Sequence, residues 1–132
     1  MILLHVLKFL DDEGHGTIDT DLFWEHMPLD KDGVTIFSRG GVITHRNSKV
    51  NQAFDLYSRH QHNTYAADRL EKIWETFTEK YPTCTLPSVP GYSNKTYENT
   101  VIEPTTNVEN LGFDEQGKTV FRLSGEVIYR KG

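Results

Sequence analysis

The chain has 132 residues and carries 14 basic against 19 acidic side chains, a net charge of −5 at neutral pH. That length suits one domain, and with Ile, Leu, Val and Phe at 34 residues the chain can bury a real core without disulfides. The single cysteine, Cys84, excludes an internal disulfide framework and a multi-cysteine zinc site. No apolar run reaches the ~20 residues that span a bilayer, and the acidic balance argues against a nucleic-acid binder.

In chain order, Ile2 to about Asp12 reads as a helix, with Ile2, Val6 and Phe9 on one side, Leu3, Leu7 and Leu10 beside them, and Gly14 and Gly16 as its end. The stretch 1–10 lacks a basic leader and a small-residue cleavage site, so a signal peptide is not expected and the chain reads as a cytosolic product or something assembled from one. Asp19 or Thr20 suits the cap of a second short helix carrying Leu22, Phe23 and Glu25 and stopping near Pro28. Asp32-Gly33 signals a turn, Val34–Ser38 a strand, and Gly40-Gly41 a break, after which Val42–Thr44 can continue the pairing. Val50–Arg59 is the next strand, with Val50, Phe54 and Leu56 on one face and Gln52 as the exception.

Asn63 or Thr64 then caps the strongest helix signal. Ala66, Leu70, Ile73, Trp74, Phe77 and Tyr81 follow helical spacing up to Pro82, and both Trp74 and Phe77 are expected in the core. Residues 82–95, with Pro82, Pro87, Pro90-Gly91 and Ser93-Asn94, read as a long loop of the kind that often carries function. Thr96–Glu103 is a strand, 112–117 a turn, and 118–130 the last strand, where Phe121, Leu123, Val127 and Tyr129 alternate with Val120, Arg122, Glu126 and Ile128 around Gly125. The order predicts an α+β fold: a mostly antiparallel sheet with an N-terminal helix and one long central helix packed on one face.

Charge is segregated along the chain. Residues 11–32 hold eight acids and one base, and 98–115 hold five acids and no base, whereas 39–62 and 118–131 are basic. This suits either solvated loops and strand edges or complementary patches between copies. Candidate chemistry is thin. His60 and His62 share a strand face, and His45 could approach from a neighbouring strand, but no recognised metal-ligand spacing accompanies them. Asp30-Lys31-Asp32-Gly33 has Arg39 where a calcium loop needs its bidentate Glu, so a turn into a strand is expected. Ser38 and Ser48 lack a nucleophile elbow, Cys84 has no nearby base, and no phosphate-cradling glycine loop occurs. No catalytic residue, metal or cofactor is expected.

Three segments together resemble the tail terminator family of long-tailed bacteriophages, often labelled minor capsid proteins. They are Val50–Arg59 leading into the helix Tyr65–Trp74, the stretch Thr105–Gly117 with its Leu-Gly-Phe-Asp turn, and the terminal strand Lys118–Arg130. The resemblance implies a structural virion protein, not an enzyme. It would be assembled in the bacterial host cytoplasm as a homo-hexameric ring on the head-proximal end of the tail tube. Its partners would be other copies of itself, the tail tube protein and the head–tail connector, with DNA passing through the bore without specific binding and no membrane contact. Arg39, Arg46 and Lys49, in the glycine-rich connection before the second strand, are the candidate subunit-interface residues. The alternatives are a head-completion or tail-tube protein, or an α+β enzyme or ligand-binding module with a site built on His45, His60 and His62.

Overall fold

The structure, a computed structural model, describes residues 2–28, 30–44, 49–79 and 83–130, with residues 41–44 described by their backbone alone. It is a mixed α+β body of two helices and a curled, mostly antiparallel sheet. In chain order the elements are α1 (Ile2–Asp12), β1 (Leu22–Trp24), β2 (Gly33–Thr44), β3 (Lys49–His60), α2 (Asn63–Glu79), β4 (Cys84–Leu86), β5 (Tyr97–Pro104), β6 (Glu109–Phe113) and β7 (Thr119–Arg130).

The strands run in the order β1-β2-β3-β7-β5-β4, and β6 also pairs with β7. Among the strands of the described residues, β1 and β2 pair in parallel and the others antiparallel. β7 is the centre of the sheet. One side of it pairs with β3 from Thr119 to Arg130 without a break. On its other side β6 takes the first half, at Thr119 to Arg122, and β5 takes the second, at Gly125 to Ile128.

One face of the sheet is apolar. Val34, Ile36, Phe54, Leu56, Ile102, Leu123 and Val127 join residues of both helices in one buried cluster. Phe54 and Phe77 meet edge to face with ring centroids 6.1 Å apart, a geometry that aromatic quadrupoles favour. On α2 the buried stripe is Ala66, Leu70, Ile73 and Phe77, and each of the three large side chains contributes roughly 1.5–3 kcal/mol by leaving water. The expected single long central helix is not borne out. The apolar face is covered jointly by α1, of 11 residues, and α2, of 17, because α1 is too apolar to lie on the surface: eight of its residues are buried. Tyr81 and Pro82, the expected end of the stripe and of the helix, lie outside the described residues.

Three further expectations change. Leu22–Trp24 is a strand and not a short helix. Leu22 and Phe23 are both buried, so the segment needs two covered sides, which an outer strand beside β2 gives and a helix on the surface does not. Asp19, the expected cap, instead has φ +70°, in a turn closed by the Thr17 carbonyl. At Gly40-Gly41 the register of β2 shifts between Ser38 and Gly41, and 42–44 continue the pairing with β3 as expected. The stretch expected as a loop at 82–95 holds β4 and a bridge between Val89 and Ser93, and it closes over α1: the buried His5 Nδ1–H donates to the Pro87 carbonyl at 2.8 Å.

Candidate functional site

The far face of the sheet, turned away from the helices, carries polar side chains, and half of it is roofed. The segments 26–28 and 30–32 and the turn between β6 and β7 lie against Thr35, Arg59 and Lys118 on this face. Thr35 Oγ–H donates to the His26 carbonyl at 3.1 Å. Arg59, only 6% exposed, donates from Nη2 to the carbonyls of Pro28 and Lys31 and pairs through Nη1 with Asp114 at 3.6 Å. Lys118 Nζ lies 2.7 Å from Asp32, and Arg122 lies 3.3 Å from Glu109. Burial pushes the Asp32 carboxyl up, but the hydrogen bond from Lys118 and the charges of His60 and Lys118 outweigh it and hold the group below its ordinary value. These pairs join the acidic segments to the basic ones within one chain. Much of the charge segregation seen along the sequence therefore serves to pin the roof onto the sheet.

The three candidate interface residues separate. Arg39 stands at the far face and pairs with Asp55 at 2.8 Å, and Asp55 also accepts the Ser124 hydroxyl. Lys49 is exposed at the start of β3, opposite Arg130. Arg46 lies outside the described residues.

The histidines divide in the same way. His45 lies outside the described residues. His60 and His62 do come together, with ring centroids 6.0 Å apart and Tyr65 within 6 Å of both. His60 Nδ1 accepts the His62 backbone N–H at 3.2 Å, and its Nε2 faces Asp32 at 3.7 Å. Nδ1 thus closes the turn that leads from β3 into α2, and Nε2 faces the roof segment at Asp32. Among the described residues no group of three His, Cys, Asp or Glu side chains could hold a metal ion.

A groove that the sequence did not signal lies between α2 and the chain running from β5 to β6. One part, of ≈ 250 Å³, is lined by Glu71, Trp74, Glu75, Asn107 and Val108. A second, of ≈ 430 Å³, is lined by Phe77, Thr78, Ile102, Glu103 and Pro104. Trp74, expected in the core, is 38% exposed here. It falls one position off the stripe of Ala66, Leu70, Ile73 and Phe77, and the flanking Glu71 and Glu75 are the clue that this side of the helix meets water. An apolar floor with carboxylates at its rim suits a macromolecular partner better than a reaction centre. Compared with known proteins, the chain matches no protein-family model and is similar to no curated sequence.

Proposed function

We propose that this chain is a structural protein of a long-tailed bacteriophage that caps the head-proximal end of the tail tube as a homo-hexameric ring, ends tube polymerisation and offers a surface to the head connector. One observation carries this reading. The three segments of resemblance, dispersed along the sequence, form one contiguous piece of structure: β3 pairs along the whole of β7, the 105–117 stretch supplies β6 on the other side of β7, and α2 packs on the same strands. A resemblance scattered over unrelated surfaces would carry less.

The chain acts in this role by shape and association and not as an enzyme. Ring contacts are heterologous, joining different patches of neighbouring copies, and the basic Arg39 and Lys49, with Arg46 between them in the sequence, and the acid-rimmed Trp74 groove are the features suited to them. A net charge of −5 per copy lets DNA pass through the bore without phosphate attraction. The protein would then be assembled in the host cytoplasm and reside in the virion tail.

Negative-stain microscopy with mass by light scattering, with and without tube protein, tests this. Closed rings, or a chain that halts tube growth at a fixed length, are expected. Long polymers formed by the pure chain would assign it to the tube itself, and a stoichiometric metal in elemental analysis would move it to a histidine-based ligand-binding module.

A further inference from the structure

The unroofed half of the far face carries an unusual pattern of charge. In the β3–β7 ladder Lys49 lies directly opposite Arg130, and in the β5–β7 ladder Glu103 lies directly opposite Glu126. Like charges directly opposite one another destabilise a sheet. Elsewhere on this face charges are complementary, as in Arg39 with Asp55 and Arg122 with Glu109. No ion pair among the described residues joins any of the four like-signed side chains to an opposite charge.

Both ladders keep their register here, so Glu126, Ile128 and Arg130 share one face of β7. The intervening Val127 is fully buried in the helix-side core, which turns the three outward. Glu103, Glu126, Ile128, Asn51 and Val101 are half-buried, and Lys49 and Arg130 are exposed. The acidic row and the basic row stand four residues apart along β7, about 13 Å at strand rise. Ile128 sits midway, with Asn51 and Val101 as its cross-strand neighbours.

Opposite charges equally spaced about an apolar centre are self-complementary. A half-turn about an axis that crosses the strands above Ile128 lays one row over the other. We propose that this face is a twofold contact between two copies of the chain: Glu103 and Glu126 of one copy lie over Arg130 and Lys49 of the second, and Ile128 packs against its own counterpart. The contact relieves both like-signed pairs at once, which neither pair can achieve within one chain. It is an alternative to the ring contact, with which it shares Lys49, because a twofold contact closes at two copies and a ring requires a heterologous one. The patch is smaller than the roughly 800 Å² per partner of a standard stable interface, so the dimer is weak and depends on charge.

Sedimentation velocity of the wild-type chain should show a concentration-dependent dimer whose dissociation constant weakens at least about tenfold between ~0.02 and ~0.5 M salt, as screening shortens to a few ångströms. Glu103→Lys with Glu126→Lys makes the patch all basic, and Lys49→Glu with Arg130→Glu makes it all acidic. Each double variant should be monomeric, and an equimolar mixture should form the one-to-one heterodimer. A wild-type chain that stays monomeric, an association that salt leaves unchanged, or a mixture that fails to associate overturns the proposal. A second measurement covers charge reversals that disturb folding. Ile128→Cys in a Cys84→Ser background should cross-link to itself under mild oxidation at least tenfold faster than Tyr65→Cys in the same background, and equal rates overturn the contact. The mixing and cross-linking results stand whether or not rings form, so failure here and failure of the terminator reading are separate outcomes.

Discussion

Asp55 is a buried carboxylate on the far face of the sheet. It is 8% exposed, accepts the Ser124 hydroxyl and pairs with Arg39 at 2.8 Å. Asp55→Ala leaves the Ser124 hydroxyl without its acceptor and should cost about 1–3 kcal/mol in urea unfolding. Arg39 is far more exposed, so Arg39→Ala should cost less than about 1 kcal/mol. Equal losses would mean that the ion pair, and not the buried hydrogen bond, holds this point. His15 gives the pH dependence. Burial lowers its imidazole below the ordinary value, Arg69 and Lys72 add to this, and Glu13 opposes it; Nε2 meets Thr76 Oγ1 at 2.6 Å. The unfolded chain therefore takes up the proton first as pH falls. The stability this residue contributes is present above an unfolded value of about 6.5 and is lost as pH drops through the lower folded value. Unfolding series between about pH 7 and 5 should show a decline in the wild type that His15→Gln flattens, and parallel declines would refute the assignment.

At the level of elements, Gly125 shows how tightly β7 is seated. A Cβ placed there would meet the Glu103 carbonyl oxygen at 2.8 Å and the Phe54 ring at 2.9 Å. Backbone cannot yield as a flexible side chain can, so Gly125→Ala should cost about 1–3 kcal/mol by thermal or urea unfolding; a neutral result would show that Phe54 and β5 can give way together. The long strands and both helices were legible in the sequence, because each presents one apolar face over many residues with the period of its structure. β1 was not, because Leu22 and Phe23 are buried on opposite sides and three residues cannot display a period. β6 was hidden for a related reason: Leu111 and Phe113 remain exposed and a register shift falls between Asn110 and Gly112, which leaves no alternation to read. Of the candidate site, His60 and His62 do cluster, but through a turn and not through the shared strand face that their spacing suggested, because β3 ends at His60. The Trp74 groove could not be read, since half of it comes from residues 102–108, which sequence distance separates from α2.

For the molecule as a whole, charge segregation along the chain misled because it ignored distance in space. Asp114 with Arg59 and Lys118 with Asp32 are neighbours only after folding, and they close the roof within one copy. What is left over, two like-signed pairs on an open face, is the smaller signal and the one that points outward. Most pairings are also non-local, with Asp55 and Ser124 meeting across 69 residues. Refolding after stopped-flow dilution should accordingly fall in the millisecond-to-second range of sheet-rich domains, and a main phase faster than about 1 ms would contradict the topology. The two-sided pairing of β7 has a consequence for synthesis. β3, β5 and β6 have no common neighbour until Thr119–Arg130 emerges from the ribosome. A nascent chain stalled before that point would display the edges of β3 and β5 together, inviting promiscuous strand addition.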